Sequence, residues 1–196
     1  LVEQFTPWQQ EHSDGSVAVV GRTGMGKSTV LQMVEKELRV PVFYGDVRTK
    51  ITRPAKVVAW LSEVFSISPK PTSEKDLIKR IREDKTPVVA VDNCHNLFLR
   101  RVGGFEGWES FLRVVNETCD NVFWILTFNQ AAFDYLHAIT GHANYLRRTW
   151  VLHRWSERQV RRDIMLKLRR ARPGVSFWDL LLATPRPIRL SPPPGP

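Results

Sequence analysis

Short apolar runs alternate with amphipathic segments along this chain. The runs are rich in β-branched residues and bounded by turn residues, which predicts strands at 17–20, 40–44, 87–91, 121–128 and 149–153. Apolar residues spaced three and four apart predict helices at 27–38, 55–65, 72–83, 108–117, 130–139 and 156–170. Strands that alternate with helices favour a parallel sheet. We therefore expect an α/β fold, with a five-stranded parallel sheet and helices on both faces.

A glycine-rich segment joins the first predicted strand to the first predicted helix. Residues 21–28 read Gly-Arg-Thr-Gly-Met-Gly-Lys-Ser and fit the pattern G-x-x-x-x-G-K-[ST]. Glycines let the backbone wrap its N–H groups around a phosphate, and the next helix points its positive N-terminus at the same anion. In such a P-loop, Lys27 reaches the β- and γ-phosphates, and the hydroxyl of Ser28 ligates Mg²⁺.

The P-loop predicts ATP and Mg²⁺ as the cofactors of a P-loop NTPase. ATP is favoured over GTP, because the chain lacks the Asn-Lys-x-Asp motif that reads a guanine base. The residues expected to bind the nucleotide are Gly21, Arg22, Thr23, Gly24, Met25, Gly26, Lys27, Ser28 and Thr29.

Asp92 ends the apolar run 88–91 and is the expected metal residue beside Ser28. P-loop NTPases carry such a carboxylate on a neighbouring strand, although an aspartate here could also serve as a strand-end turn or cap. Many ATPases place a glutamate directly after it to polarise the attacking water, and here that residue is Asn93, which cannot act as a general base. Hydrolysis is therefore expected to be slow, or the protein to act as a nucleotide-dependent switch.

Other polar residues near these motifs are candidates for catalysis. His95 can orient a water molecule, or it can be a hydrogen-bonded structural residue. Asn129 closes the strand 121–128, which should lie beside the P-loop strand. Its side chain can bond the γ-phosphate or the attacking water, or it can cap the helix that follows. Glu106 and Glu109 are further carboxylates that could replace the missing glutamate.

The positive charge is concentrated in one segment. The 196 residues carry a net charge of +9, and residues 147–172 supply +8 of it, with ten Lys or Arg against Glu157 and Asp163. Ser156 and Gln159 have the spacing of a capping box at the start of the predicted helix. The helix is expected to be amphipathic rather than a disordered arm, because it also contains the apolar residues Val160, Ile164, Leu166 and Leu168. The basic face is either a solvated surface or a surface that binds phosphate, nucleic acid or an acidic partner.

Composition excludes several classes of protein. Apolar residues make up 42% and charged residues 25% of the chain, so neither wholesale disorder nor a fibre is expected. No apolar run is long enough to span a bilayer, and the first residues show no signal peptide. The two cysteines, Cys94 and Cys119, make no disulfide framework, so we expect a reducing, cytoplasmic location.

Together these motifs resemble the AAA+ ATPases, and more narrowly the initiator-type, transposition-helper and secretion ATPases of that superfamily. In that family a motif ending Asp-Glu-x-His follows the P-loop, often with Asn-Leu after it, and this chain reads Asp-Asn-Cys-His-Asn-Leu at 92–97. The resemblance implies that Asn129 is the family's sensor-1 residue and that Arg147 or Arg148 is its arginine finger. It also implies an aromatic-flanked strand, a short polar turn and a basic helix that opens a helical lid, together matching 150–170 here.

The resemblance divides the chain into four parts. We expect a lead-in at 1–15, the P-loop ATPase domain at 16–172, a remnant of the helical lid at 173–183 and a proline-rich flexible tail at 184–196. The lid is expected to be truncated or minimal, with Arg186 as a candidate for its sensor-2 arginine.

The favoured function is an ATP-binding AAA+-type domain that works as a nucleotide-dependent switch or slow ATPase. It would control assembly or a partner, as a homo-oligomer or together with a partner protein. The alternative is a nucleic-acid-binding module, in which the P-loop fold is a scaffold and residues 147–172 make the contact. A small-molecule kinase is disfavoured, because Asp92 and Asn129 are typical of an ATPase site.

Overall fold

The computed structural model describes residues 2–11, 15–83, 88–140, 146, 148–154, 156, 158–159, 162–163 and 166. The chain divides into two compact units, residues 1–153 and residues 154–196. The described strands all lie in the first unit.

Helices and strands alternate through the first unit, as the sequence pattern predicts. Its described helices are α1 (Val2–Glu11), α2 (Lys27–Leu38), α3 (Pro54–Val64), α4 (Glu74–Glu83), α5 (Glu106–Thr118) and α6 (Gln130–Thr140). Its described strands are β1 (Ser16–Gly21), β2 (Val42–Asp46), β3 (Val88–Asp92), β4 (Phe123–Asn129) and β5 (Arg148–Val151). A 3₁₀ helix at Cys94–Leu97 follows β3.

The five strands form one parallel sheet in the order β2-β3-β4-β1-β5. This confirms the predicted sheet, and it also confirms that the strand ending in Asn129 lies beside the P-loop strand, since Gly21 pairs with Asn129. The expectation that Asp92 lies on a strand next to the P-loop strand is wrong. β4 lies between β1 and β3, so the two motif strands are second neighbours.

Side chains from the two faces of the sheet enter two separate hydrophobic clusters. Along β1, Ala18 and Val20 contact the cluster that includes α3, α4 and α5, whereas Val17 and Val19 contact the cluster with α1 and α2. Alternate residues of a strand point to opposite faces, and β1 is buried over its whole length. Helices therefore cover both faces of the sheet, as expected.

The helix α1 is not among the predicted elements, because residues 1–15 are treated as a lead-in. Pro7 lies inside the helix, and this residue normally argues against one. Phe5 and Trp8 are buried, and their rings lie 5.5 Å and 5.3 Å from the ring centre of Phe123. The helix is therefore part of the sheet's covering layer, and its signal is a pair of aromatic side chains rather than a long apolar stripe.

The strand β2 begins and ends two residues later than predicted, at Val42–Asp46 instead of 40–44. Pro41 has no N–H to donate to the ladder, which favours a start after it. The pairing with β3 runs from Val42 opposite Val88 to Asp46 opposite Asp92. This register brings two aspartates to the same level at the carboxyl edge of the sheet.

The second unit is described at only a few positions. The N–H of Ser156 donates to Oε1 of Gln159 at 2.8 Å, and the N–H of Gln159 donates to Oγ of Ser156 at 3.3 Å. These are the two hydrogen bonds of the predicted capping box. Most of the predicted helix 156–170 and all of residues 167–196, including the predicted lid remnant, Arg186 and the tail, lie outside the described residues.

The structure also bears on membrane-spanning helices and on disulfide bonds. None of the helices in the described ranges is long and apolar enough to cross a membrane. Cys94 and Cys119 do not pair in a disulfide bond.

Candidate nucleotide-binding site

The P-loop has the backbone conformation that its glycines predict. It runs from Gly21, the last residue of β1, to Lys27, the first residue of α2. Gly24 and Gly26 have φ angles of 80° and 85°, in the left-handed region that glycine adopts without strain. A Cβ atom on either residue would meet no atom within 4 Å, so the backbone conformation rather than crowding selects glycine.

A cleft of about 450 Å³ lies at the carboxyl edge of the sheet, where the P-loop, the 3₁₀ helix and the end of β4 meet. It is lined by Thr23, Gly24, Gly26, Lys27, Ser28, Thr29, Asn93, His95 and Asn129. Most of the predicted nucleotide-binding residues are therefore in its wall. Gly21, Arg22 and Met25 do not line it. The first N–H groups of α2 border the cleft and have no partner within the helix, which suits them to bind an anion.

Lys27 lies across the P-loop. Its Nζ donates to the carbonyl oxygens of Gly21 at 2.9 Å and Arg22 at 3.0 Å. Burial lowers the pKa of Lys27, and the negative charge of Asp92 opposes that shift. The two carbonyl contacts hold the ammonium group against the P-loop, and Lys27 lines the cleft.

Asp92 is buried at the end of β3 and accepts several hydrogen bonds. Burial is the largest influence and would raise its pKa, but the hydrogen bonds outweigh it and hold the pKa below its ordinary value of 3.8. The donors are Ser28, Thr127, the N–H of Asn93 and Tyr44. The carboxylate is therefore ionised at neutral pH and shares a hydrogen bond with the hydroxyl that is predicted to ligate Mg²⁺. Its metal role stays a prediction.

Thr127 and Tyr44 support Asp92, and the sequence analysis assigns no role to either. The hydroxyl of Thr127, fully buried in β4, donates to Asp92 Oδ1, and the hydroxyl of Tyr44 donates to Asp92 Oδ2 at 3.3 Å. Burial raises the pKa of Tyr44 to about 12, and the charges of Asp92 and Asp46 act in the same direction. Thr127 could have been identified from the sequence, because it is a polar residue within an otherwise apolar strand. Tyr44 has no such signal.

Asn93 is held in an unusual conformation beside the cleft. Its φ is 60°, in the left-handed region, and its N–H donates to Asp92 Oδ1 at 2.9 Å and to Thr127 Oγ1 at 3.1 Å. Its Nδ2 donates to Asp46 Oδ1 at 2.9 Å. The sequence pattern gave no sign of Asp46. Its carboxylate is hydrogen-bonded to Asn93, which lines the cleft.

His95 lies in the 3₁₀ helix and lines the cleft. Its Nδ1 is buried and is one of two side-chain polar atoms in the described ranges that are buried without a hydrogen-bond partner. Burial is the main cause that lowers the pKa of His95, and the charges of Lys50 and Lys27 lower it further. A neutral imidazole with an unused nitrogen at the cleft fits the predicted role of orienting a ligand or water, which stays a prediction.

Asn129 makes the capping contact, one of its two expected roles, while its bond to the γ-phosphate or the attacking water stays a prediction. Its Oδ1 accepts the N–H of Ala131 at 3.1 Å, which caps α6. Its Nδ2 donates to Oγ1 of Thr23 in the P-loop at 3.2 Å. The side chain thus joins the end of β4 to the P-loop and lines the cleft at the same time.

Of the two candidates for the arginine finger, Arg148 does not line this cleft. Arg147 is outside the described residues. Arg148 pairs with Val17 at the amino end of β1, whereas the P-loop follows Gly21 at the carboxyl end, about 13 Å away along the strand. An arginine here can act only at the site of another subunit, so the finger stays a prediction.

Glu106 and Glu109 do not replace the missing glutamate in this cleft. Both lie in the first turn of α5 and are exposed, and neither lines the cleft.

A family model described as an AAA domain matches residues 10–136, which is more than half of the chain. The chain belongs to the AAA domain family. The match includes every described residue that lines the cleft, and it confirms the predicted resemblance to AAA+ P-loop ATPases. Among curated proteins, none matches the sequence significantly.

Solved archaeal structures share the fold of this AAA domain. The ORC1 protein of Aeropyrum pernix, in complex with DNA, is 18% identical with a TM-score of 0.62, over 89% of this chain and 49% of that one. The ORC2 protein of Aeropyrum pernix, as ADPNP-ADP complexes, is 14% identical with a TM-score of 0.62, over 86% of this chain and 50% of that one. CDC6P from Pyrobaculum aerophilum is 13% identical with a TM-score of 0.59, over 87% and 48%.

These identities show a common fold and nothing more specific. The AAA domain spans about half the length of each of these three chains.

Proposed function

We propose that this AAA domain binds ATP with Mg²⁺ in the P-loop cleft and acts as a nucleotide-dependent switch or slow ATPase that controls assembly or a partner. The observation that carries the proposal is the shared cleft. Lys27 and Ser28 of the P-loop line it together with Asn129 of β4, and Asp92 lies directly behind Ser28. Groups of the kinds that bind phosphate and Mg²⁺ therefore lie at one edge of the sheet, which supports the proposal.

The residues present fit both expected cofactors. The open P-loop and the first N–H groups of α2 suit the phosphates. A hydroxyl and an ionised carboxylate, from Ser28 and Asp92, are oxygen ligands of the kind that Mg²⁺ prefers. The metal, when bound, supplies positive charge that stabilises the charge developing on the γ-phosphate. Asn129 lines the same cleft and would offer its amide to the γ-phosphate or the attacking water.

Replacing Lys27 by alanine tests the binding site. The variant should lose measurable affinity for a fluorescent ATP analogue, because the ammonium that faces the phosphates is gone. Lys36→Ala is the matched control, since Lys36 is an exposed residue in the last turn of the same helix. Unchanged ATP affinity of Lys27→Ala, with Lys36→Ala equal to it, would show that the P-loop does not hold the nucleotide.

An arginine finger at 147 or 148 would act on the nucleotide of a neighbouring subunit, so its test compares assembled protein with the monomer. Replacing Arg147 and Arg148 together should lower ATP turnover of assembled protein and leave turnover of the monomer unchanged. Arg148 lies far from this chain's own P-loop, which is why no effect within one subunit is expected. An equal loss of turnover in protein kept monomeric by dilution would contradict a finger acting between subunits.

A second candidate function is nucleic-acid binding through residues 147–172. It is supported by the charge of that segment, +8 out of the +9 of the whole chain. Binding of a labelled DNA duplex should then weaken steeply as salt increases, because phosphate contacts release counterions. Replacing Arg158 and Arg162 by alanine should reduce both the affinity and the slope of its salt dependence. Weak, salt-independent binding would leave the basic face as a solvated surface or a protein contact.

A further inference from the structure

The structure contains a carboxylate next to the position where ATPases of this kind carry a glutamate. Asn93 occupies that position, directly after Asp92, and lines the cleft. Its Nδ2 donates to Oδ1 of Asp46 at 2.9 Å. We infer that Asp46 is a positioning residue for hydrolysis, and that Asp46 and Asn93 together do what a single glutamate does elsewhere. The inference rests on the proposed binding of ATP in the cleft.

The sheet register brings the pair together. Asp46 ends β2 and is paired with Asp92 at the end of β3, so Asp46 lies beside the residue that precedes Asn93. The backbone of Asn93 is held on the other side, because its N–H is shared between Asp92 and Thr127. Its left-handed φ of 60° is a conformation that few non-glycine residues adopt, and asparagine is among those that tolerate it.

The contact with Asp46 fixes which end of the Asn93 amide faces it. A carboxylate can only accept hydrogen bonds, so the donor Nδ2 must point at Asp46 and the acceptor Oδ1 must point away. The negative charge of Asp46 also polarises the amide, which strengthens Oδ1 as an acceptor. Asn93 thereby offers a fixed acceptor in the wall of the cleft without carrying a charge itself.

Apart from its contact with Asn93, the Asp46 carboxylate has an exposed arginine partner. Its other oxygen, Oδ2, pairs with Nε of Arg48 at 3.0 Å, and the side chain of Arg48 is 84% exposed. A pair with so exposed a partner is weak. Among the described carboxylates near the cleft, Asp92 is already committed to Ser28 and Thr127, and the exposed Glu106 and Glu109 do not line the cleft.

In the reaction, Oδ1 of Asn93 accepts a hydrogen bond from the attacking water. This contact directs the oxygen of the water at the γ-phosphorus. A bond forms between that oxygen and phosphorus, and the bond from phosphorus to the oxygen bridging to the β-phosphate breaks. Both protons of the water leave with the inorganic phosphate, and ADP leaves with the electron pair of the broken bond. Asp46 takes no part in the bond changes and acts only through Asn93.

Asp46→Asn tests the pair, because it removes the charge and allows the facing amides to adopt either orientation. We expect turnover of saturating ATP to fall about 10- to 100-fold, the range of a lost hydrogen bond to a charged group, while the affinity for ATP stays within about twofold. The double variant Asp46→Asn with Asn93→Glu exchanges amide and carboxylate, and it should restore turnover to the wild-type level or above.

Asp120→Asn is the matched control. Asp120 also pairs with an arginine, Arg82 at 3.7 Å, but it precedes β4 at the opposite edge of the sheet. This variant should turn over ATP like the wild type. Turnover of Asp46→Asn equal to that of Asp120→Asn overturns the inference, as does a double variant no faster than Asp46→Asn.

The inference and the proposed function fail in different ways. If Asp46→Asn loses ATP affinity and turnover together, Asp46 maintains the structure of the site, and its positioning role is overturned. Wild-type protein that binds ATP but hydrolyses it no faster than Lys27→Ala would also overturn that role and leave the binding proposal intact. Wild-type protein that does not bind ATP would remove both.

Discussion

Replacing Thr127 by valine removes one hydroxyl from the buried network around Asp92 and keeps the shape of the side chain. Thr127 and Asp92 are both buried. The Thr127 hydroxyl donates to Asp92 and accepts the N–H of Asn93. A hydrogen bond to a charged group contributes about 1.5–3 kcal/mol. We therefore expect Thr127→Val to lower the free energy of unfolding by about 2 kcal/mol at neutral pH. Urea unfolding followed by tryptophan fluorescence measures it.

The pH dependence of that loss identifies its cause. The folded pKa of Asp92 lies below 3.8, so its ionised form stabilises the fold above 3.8, and this contribution is lost as the pH falls through the folded pKa. Burial raises the pKa of Asp92 and the hydrogen bond from Thr127 lowers it, so the folded pKa of Asp92 should rise when the hydroxyl is removed. The difference between wild type and variant should therefore be full at neutral pH and shrink at acid pH, between the two folded pKa values.

Thr118→Val is the control for losing a buried threonine hydroxyl. Thr118 is equally buried, and its hydroxyl donates to the carbonyl of Val114 at 2.7 Å and accepts Nε1 of Trp124 at 3.0 Å. None of these groups is ionised, so the loss of stability should not depend on pH. The reasoning is refuted if Thr127→Val loses the same free energy at neutral and acid pH, as Thr118→Val is expected to.

Three further predictions concern single side chains. The imidazole signals of His95 in an NMR titration should have a midpoint below 6.5, because burial disfavours the charged ring, and a midpoint above 6.5 would contradict that burial. Gly107→Ala should lower stability by about 1–3 kcal/mol in thermal unfolding, because its Cβ would lie 2.4 Å from the carbonyl oxygen of Ile51; a more stable variant would mean that the loop moves aside. Asn129→Ala should lower stability by about 1 kcal/mol through the lost cap of α6. Asn129→Asp should keep that stability, and equal losses in both variants would argue against a capping role.

The pattern of apolar residues was enough to predict the class of fold but not the order of the strands. The helix α2 has the predicted bounds, Lys27–Leu38, because its apolar spacing and its glycine start are both local signals. The insertion of β4 between β1 and β3 depends on pairing between segments far apart in the chain. No local pattern contains that information, so the relation of Asp92 to the P-loop strand was predicted wrongly.

The candidate site divides in the same way. Lys27, Ser28 and Asn129 follow strands at positions that a motif or a strand end marks, and the structure brings them to one cleft. Tyr44 and Asp46 reach the site through the register of β2 with β3, and β2 itself ends later than its apolar run suggests. Their roles depend on contacts with residues 47 or 48 positions away in the chain, which only the folded structure shows.

A crystal structure of this chain with Mg²⁺ and a non-hydrolysable ATP analogue tests the central claim most directly. We expect phosphates against the N–H groups at the start of α2 and Nζ of Lys27, with the metal between the Ser28 hydroxyl and the Asp92 carboxylate. A nucleotide bound elsewhere, or phosphates in the P-loop with the metal remote from Asp92, would contradict it.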